Sequence, residues 1–211
     1  NKDLIIVVGG DGTFLRTAHL VDKTPVFMVS SDVRYNEAFY GRATRNDVGK
    51  KIKMILEGRF KITKLTRLEA RINGKRLPML AVNEFFMGNR HPHHTSRYII
   101  RIKGKKEFQK SSGVIITTHS GSYGWAKSAA KKKLVVQKNS FGYAVREPYI
   151  GRLTKSKMIQ GVLHPKERIE MESLTHSGVV VVDSSYSEFR FVDGDKLEVK
   201  VSTHPLNFVE F

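Results

Sequence analysis

The segment Gly9-Gly10-Asp11-Gly12-Thr13 constrains the fold more than any other part of this 211-residue chain. It directly follows the aliphatic run Leu4–Val8 and precedes a stretch with helical periodicity from about Thr13 to Val21. Glycines allow a tight turn that brings backbone N–H groups against an anion, and a following helix adds the positive end of its dipole. A strand, a glycine-rich turn and a helix in this order therefore predict an α/β unit with a phosphate site.

The acidic residue within this turn points to a chemical role. A carboxylate beside bound phosphate would repel it, unless the carboxylate binds Mg²⁺ or accepts the proton of a hydroxyl nucleophile. An Asp-Gly pair by itself is also typical of a simple turn. The two preceding glycines and the placement between strand and helix favour the functional interpretation of Asp11.

The remaining periodicity divides the chain into an α/β region and a mainly β region. Up to residue 60, strand-like Pro25–Val29 and helix-like Arg45–Leu56 continue the alternation. After Gly58 short strand-like segments follow, with Asn73-Gly74 as a strong hairpin signal. The strands predicted there are Lys61–Ile72, Arg76–Met87, Tyr98–Lys103, Gly113–Thr118, Lys133–Gln137, Met158–Val162, Glu167–Glu172 and Gly178–Val182, with a helix at about Tyr123–Lys132. We expect an α/β fold followed by a β-rich, sandwich-like domain.

The composition limits the chemistry and suggests a class of partner. The chain has no cysteine, which excludes disulfides, cysteine nucleophiles and Cys-ligated metals. With 37 Lys and Arg against 20 Asp and Glu, the net charge of +17 favours a polyanionic partner, whether nucleic acid, an anionic membrane surface or a phosphorylated small molecule. No run approaches the length of a membrane span and no secretory signal is seen, so we expect no membrane insertion and an intracellular location, cytoplasmic or mitochondrial.

Two further clusters have less specific interpretations. His91-Pro92-His93-His94 offers three imidazoles, but without neighbouring carboxylates we expect a solvated loop and no metal site. Lys131-Lys132-Lys133 stands at the predicted end of a helix, where the lysines either contact phosphate or RNA or simply complement the helix dipole.

Three motifs together resemble one family. Gly9–Thr13 resembles the signature of the kinase superfamily that contains NAD kinases, lipid kinases and phosphofructokinases. Asn83-Glu84 is similar to the Asn-Glu pair of NAD kinases, and Gly113–Ala129 resembles their strand, Thr-Pro-Thr-Gly-Ser-Thr-Ala-Tyr core and helix. Trp125 in place of the core Tyr is similar to the divergent mitochondrial-type branch. Order and spacing agree with the family, so the chain resembles a divergent NAD kinase.

The resemblance implies ATP- and Mg²⁺-dependent phosphorylation of the 2′-hydroxyl of the adenosine ribose of NAD, which gives NADP. Asp11 would be the catalytic base or hydroxyl orienter. The phosphate- and ATP-binding positions would be Gly9, Gly10, Gly12 and Thr13. The NAD-binding positions would be Asn83, Glu84, Ser120, Tyr123, Gly124, Trp125, Ser128 and Asp183. The family is usually oligomeric, so a homo-oligomer is expected.

The family's architecture also implies domain boundaries. Residues 1–60 would be a partial Rossmann-like nucleotide-binding domain that lacks its first strand and helix. Residues 61–197 would be the β-rich dinucleotide-binding domain, and 198–211 would pack back on the first domain.

Departures from the family pattern keep other functions open. Ser112 stands where the family has Asp, His119-Ser120 where it has Pro-Thr, and Ser184 where it has Gly. Together with the net charge, these changes suggest an inactive kinase fold that serves as a basic RNA-binding or ribonucleoprotein assembly subunit. A lipid or sugar kinase is a third hypothesis.

Overall fold

The computed structural model describes residues 2–32, 37–152, 154–185 and 187–211. The chain forms two compact units, Asn1–Leu65 with His204–Phe211, and Thr66–Thr203. The units therefore change at residues 65/66 and 203/204, a few residues beyond the sequence-based boundaries. Each unit has its own hydrophobic core.

The regular elements, in chain order, are β1 (Ile5–Gly9), α1 (Asp11–Ala18), β2 (Val26–Ser30), β3 (Ala43–Thr44), α2 (Val48–Leu56), β4 (Lys61–Leu65), β5 (Leu68–Ile72), β6 (Lys75–Arg76), β7 (Glu84–Asn89), β8 (Ser96–Ile102), β9 (Lys105–Ser111), β10 (Gly113–Thr118), a 3₁₀ turn (Gly121–Tyr123), α3 (Trp125–Ala129), β11 (Phe141–Arg146), β12 (Gln160–Leu163), β13 (Arg168–Ser173), β14 (Gly178–Val182), β15 (Glu188–Arg190), β16 (Lys196–Val201) and β17 (Leu206–Glu210). Within the described residues, no helix is long and apolar enough to span a membrane.

The first unit is an α/β sheet ordered β1-β2-β17-β4, with β3 also paired to β2. The strands β1 and β2 run parallel, as expected when a helix connects them. From the end of the chain, β17 pairs in parallel with β2 and antiparallel with β4. Buried Phe27, Val29 and Val209 of the sheet pack with Ile52 and Ile55 of α2. The predicted α/β class and the return of the C-terminal segment are thus confirmed.

The second unit is a β-sandwich of two six-stranded antiparallel sheets. The first sandwich sheet has the order β12-β11-β10-β7-β14-β15, and the second sandwich sheet has the order β6-β5-β16-β13-β8-β9. Both sheets contribute buried side chains to one core, which includes Phe85, Ile116, Val180, Ile100, Met171 and Val199. Alternating apolar residues such as Leu197 and Val199 produce this arrangement because successive side chains of a strand point to opposite faces. The predicted sandwich-like domain is confirmed.

Ion pairs line the solvent-exposed face of the second sandwich sheet. The carboxylate of Glu69 accepts from Arg76 and Lys200 at 3.4 Å each. Arg101 pairs with Glu172 at 2.7 Å. These carboxylates neutralise only part of the positive charge of this face, which also carries Arg97, Lys106 and Lys110.

Several predicted elements differ from the structure. The Asn73-Gly74 hairpin is confirmed, with both residues at positive φ. The predicted strand Lys133–Gln137 is wrong. Next to it, the backbone N–H and C=O of Lys132 bond to the side chain of Gln160 instead of to a neighbouring strand. The predicted helix Tyr123–Lys132 is shorter, because Ala130 is already extended at ψ 134.

Candidate functional site

The glycine turn has the predicted strand-turn-helix geometry. Gly9 ends β1, Gly10 precedes the helix in an extended conformation, and α1 begins at Asp11. The N–H groups of Thr13 and Phe14 donate to the Gly10 carbonyl at 2.9 and 3.2 Å. A Cβ atom on Gly9 would lie 2.7 Å from Oγ1 of Thr13, so only glycine fits there without rearrangement.

The N-terminus of α1 is open and positively polarised. No side chain caps the helix. Gly12 is exposed, and a Cβ there would meet only Arg16 Nη1, at 3.9 Å. Nη2 of Arg16 lies 3.4 Å from Oγ1 of Thr13, which brings a guanidinium to the same turn. Backbone dipoles and this cation together suit the turn to an anionic group.

The carboxylate of Asp11 links the turn to a distant loop, a contact that the sequence does not indicate. Its Oδ2 accepts the N–H of Phe39 and its Oδ1 accepts the N–H of Tyr40, each at 3.0 Å. The side chain is half-buried. A carboxylate has about four lone-pair sites, so two remain for a substrate hydroxyl or a cation.

Aromatic packing holds α1 against the same loop. The ring of Phe14 stacks on Tyr40 with centroids 4.2 Å apart and meets Phe208 edge-on at 5.3 Å. All three side chains are buried. The position of Asp11 is therefore fixed on both sides, by the helix that carries it and by the loop that it binds.

In the second unit, most of the predicted NAD-binding residues gather at one edge of the first sandwich sheet. Because β7 is antiparallel to β10 and β14, the start of β7 meets the ends of the other two strands. This edge holds Glu84 at the start of β7, the residues that follow Thr118, and Asp183 after β14. The antiparallel topology thus unites three motifs that are far apart in the sequence.

Asp183 organises the backbone of the Asn-Glu motif. Its Oδ1 accepts the N–H groups of Asn83 and Glu84 at 2.7 and 3.0 Å, and its Oδ2 accepts that of Val82 at 2.8 Å. The residue is buried and lies at positive φ in the turn after β14. The structure therefore gives Asp183 a clear role in shaping the motif, in addition to its predicted NAD contact.

Glu84 is a buried carboxyl group next to the Asp183 carboxylate. Its side chain is 3 % exposed, Oε1 accepts from the Ser184 hydroxyl at 3.4 Å, and Oε2 is buried without a partner among the described residues. Burial, and then the nearby Asp183 carboxylate, raise the pKa of Glu84 to about 8. At neutral pH the group is a neutral acid that can donate a hydrogen bond.

We expect Glu84→Gln to flatten the pH dependence of stability. Between the ordinary pKa of 4.5 and about 8, the folded chain holds a proton that the unfolded chain has released. The free energy of unfolding of the wild type should therefore fall as pH rises, by up to about 1.4 kcal/mol per unit. Urea unfolding from about pH 5 to 8 measures this free energy. The free energy of unfolding of Glu84→Gln, relative to that of the wild type, should increase toward pH 8.

The control for this experiment is Glu167→Gln. The Glu167 carboxylate bonds to the His164 backbone and to Lys103, and these contacts lower its pKa. It stays ionised in both states over the same range, so its removal should leave the slope unchanged. Parallel profiles for Glu84→Gln and the wild type would show that Glu84 is ionised in the folded chain.

The Gly113–Ala129 motif closes onto the Asn-Glu motif. The Thr118 hydroxyl donates to the Val82 carbonyl at 2.6 Å, and the Thr118 N–H donates to the Asn83 carbonyl at 2.8 Å. A Cβ on Gly121 would lie 2.3 Å from that same Asn83 carbonyl, so the close approach requires glycine. Ser120, between them, is buried.

The remaining predicted contacts differ in their access to a ligand. Tyr123 is 56 % exposed, and Gly124 and Ser128 are exposed beside it. Trp125 instead packs on Phe86 with ring centroids 5.0 Å apart, under the guanidinium of Arg146 at 5.1 Å. The tyrosine is therefore the more available aromatic for stacking on a planar ring.

Two of the departures from the family pattern have local partners. The hydroxyl of Ser112 bonds to the Glu147 carboxylate. This bond and the nearby Arg146 guanidinium lower the pKa of Glu147. Ser184 adopts φ 50, in the left-handed region that favours glycine, and bonds to Glu84. A carboxylate thus lies beside Ser112, although the residue itself is uncharged.

The sequence and the fold match known proteins. Residues 1–60 match the family described as the ATP-NAD kinase N-terminal domain. An NAD kinase of Thermoplasma volcanium is 28 % identical over 222 residues, which cover 100 % of this chain and 75 % of that protein. A probable NADH kinase of Oryza sativa subsp. japonica is 26 % identical, over 93 % of this chain and 67 % of that protein.

Two solved structures share the fold. A crystal structure of an NAD kinase from Archaeoglobus fulgidus in complex with ATP superimposes with a TM-score of 0.79 at 24 % identity, over 98 % of this chain and 77 % of that chain. Yeast NADH kinase complexed with NADH gives a TM-score of 0.85 at 20 % identity, over 100 % of this chain and 62 % of that chain. The matched domain and these relatives make the chain similar to NAD kinases, and the two solved structures show that it shares their fold.

Proposed function

We propose that this chain transfers the terminal phosphate of ATP to the 2′-hydroxyl of the adenosine ribose of NAD, producing NADP. The observation that carries the proposal is the open helix N-terminus after Gly9-Gly10, with the Asp11 carboxylate held at its first position. The match of residues 1–60 to the ATP-NAD kinase N-terminal domain and the similarity to NAD kinases support this assignment. The names of the relatives include both NAD and NADH kinases, so both dinucleotides are candidate acceptors.

Within this proposal, the first unit handles phosphate. Backbone N–H groups at Gly10 and Gly12, the hydroxyl of Thr13 and the positive end of α1 would stabilise the charge of the transferring group. Phosphoryl transfer depends mainly on positioning and charge neutralisation, so few covalent roles are needed. A lone pair of Asp11 that is not engaged by the 39–40 loop would orient the attacking hydroxyl and accept its proton.

The second unit would bind the dinucleotide at the edge where Asn83 and Glu84 lie. A neutral Glu84 donates a hydrogen bond, which an ionised carboxylate cannot do, and Asn83 can both donate and accept at a base or ribose edge. The exposed ring of Tyr123 offers stacking area to a planar ring. The other positions proposed for NAD contact are Ser120, Gly124, Trp125, Ser128 and Asp183.

Mg²⁺ fits this arrangement as a companion of ATP. No group of three His, Cys, Asp or Glu side chains suited to a metal occurs in the part of the chain that is described. Mg²⁺ commonly uses one or two carboxylates and completes its shell with substrate phosphates and water. Asp11 is the carboxylate of the glycine turn and would be its protein ligand, while the ion would neutralise charge on the phosphates.

The test is NADP formation by the purified chain with ATP and Mg²⁺, with NAD and NADH as acceptors beside diacylglycerol and a sugar phosphate. We expect phosphorylation of the dinucleotides only. Transfer to the lipid or sugar would assign the chain to another branch of the superfamily. No transfer at all, together with salt-sensitive RNA binding, would indicate the non-catalytic role instead.

A further inference from the structure

Two loops meet at the end of the sandwich opposite the Asn-Glu motif. Residues 90–95 connect β7 of the first sandwich sheet to β8 of the second, and residues 174–177 connect β13 of the second to β14 of the first. Because β7 pairs with β14 and β8 pairs with β13, the two crossing loops lie side by side. They lie near the last residue of β7, about 17 Å along that strand from Glu84.

Hydrogen bonds fix the two loops to each other. The Arg90 N–H donates to the Ser177 carbonyl at 2.8 Å, and the Leu174 N–H donates to the Arg97 carbonyl at 2.9 Å. The hydroxyl of Thr175 accepts a hydrogen bond from the Arg97 N–H at 2.9 Å and donates one to the Arg97 carbonyl at 3.0 Å. A cavity of about 480 Å³ lies between these loops.

The residues that line this open cavity are mainly basic and polar. They include His93, His94, His176, Arg97, Thr95 and Ser177, all of them exposed except the half-buried Ser177. No carboxylate belongs to the described lining. Among the described residues, the Arg97 side chain has no ion pair, and its partner across the β8–β9 hairpin is a second cation, Lys110.

The other charged groups nearby do not neutralise the positive charge of the cavity lining. Arg90, next to the histidines, already pairs with Glu188 at 3.2 Å. The rings of His93 and His94 lie with centroids 4.3 Å apart, which places two imidazoles within reach of one ligand. A bound anion would pair with the guanidinium of Arg97.

We propose that this cavity binds the phosphate group of a small phosphorylated molecule. The volume exceeds that of a single oxyanion and lies within the range of small-molecule sites. Arginine, imidazole N–H and hydroxyl groups recognise phosphate oxygens with directed hydrogen bonds. A metal site is not favoured, since the described residues contain no group of three suitable ligands.

The test is isothermal titration of the full chain with sulfate, inorganic phosphate and ribose 5-phosphate. We expect saturable binding of each anion at a fixed pH, and tighter binding of ribose 5-phosphate than of inorganic phosphate. The double variant His94→Gln/Arg97→Gln should weaken each affinity at least about tenfold.

The matched control, His164→Gln/Arg152→Gln, removes the same side-chain types from exposed positions outside the cavity. It should bind as the wild type does. Absence of saturable binding, or equal binding by both double variants, would overturn the proposal. So would binding of Zn²⁺ in place of anions, or binding of an RNA oligonucleotide but not of ribose 5-phosphate. Circular dichroism verifies that each variant is folded.

Discussion

Replacing Asp11 by asparagine is expected to reduce the turnover of NAD at least about a hundredfold, since general base catalysis contributes about that much or more. The variant removes the group that would accept the hydroxyl proton. It also turns an amide NH₂ toward the N–H of Phe39 or Tyr40, where the wild type has a carboxylate oxygen. The measurement is the steady-state rate of NADP formation at saturating ATP and NAD.

Asp3→Asn provides the control, because it removes an exposed carboxylate from the same unit. Its turnover should equal that of the wild type. A second variant, Asp11→Glu, restores the carboxylate one methylene farther from the helix and should regain part of the lost rate. If Asp11→Asn turned over NAD at the wild-type rate, the carboxylate would serve only to hold the 39–40 loop.

The largest effect on stability is expected for Asp183→Ala, which should lower the free energy of unfolding by about 3 to 5 kcal/mol. The substitution leaves three backbone N–H groups, those of Val82, Asn83 and Glu84, without their acceptor. Two of these groups are buried, so water replaces the lost carboxylate poorly. Urea unfolding at a fixed pH measures the change.

Asp193→Ala is the matched substitution for this comparison. Asp193 is exposed in the turn before β16, and its replacement should change stability by no more than about 0.5 kcal/mol. A loss of less than about 1 kcal/mol in Asp183→Ala would show that the 82–84 backbone does not depend on this carboxylate. Because the Asp183 charge raises the pKa of Glu84, the variant should also shift that titration downward.

The fold and the glycine turn were predictable because their signals are local. Aliphatic runs, glycine placement and the Asn73-Gly74 pair each specify structure within a few residues. The segment 133–137 misled the prediction because Leu134, Val135 and Val136 have strong strand propensity. In the structure this segment joins no strand, and the Gln160 side chain holds it at Lys132.

Long-range contacts set the properties of the site that the sequence did not reveal. Asp11 bonds to Phe39 and Tyr40, which lie 28 and 29 residues later in the chain, and no local sequence pattern predicts these contacts. The neutral state of Glu84 depends on its burial and on Asp183, which lies 99 residues later in the chain. The histidine loop is exposed, as predicted, and only its contact with residues 174–177 shows the cavity that the two loops share.

Transfer of the terminal phosphate of ATP to the 2′-hydroxyl of NAD can be observed directly in the product. The most direct measurement is the ³¹P NMR spectrum of the product formed from NAD, ATP and Mg²⁺, with Asp11→Asn run in parallel. We expect a new phosphomonoester on the adenosine ribose, equal in amount to the ADP formed and reduced at least about a hundredfold with the variant. ADP formation without that phosphomonoester, or the same amount of product from both proteins, would contradict this expectation.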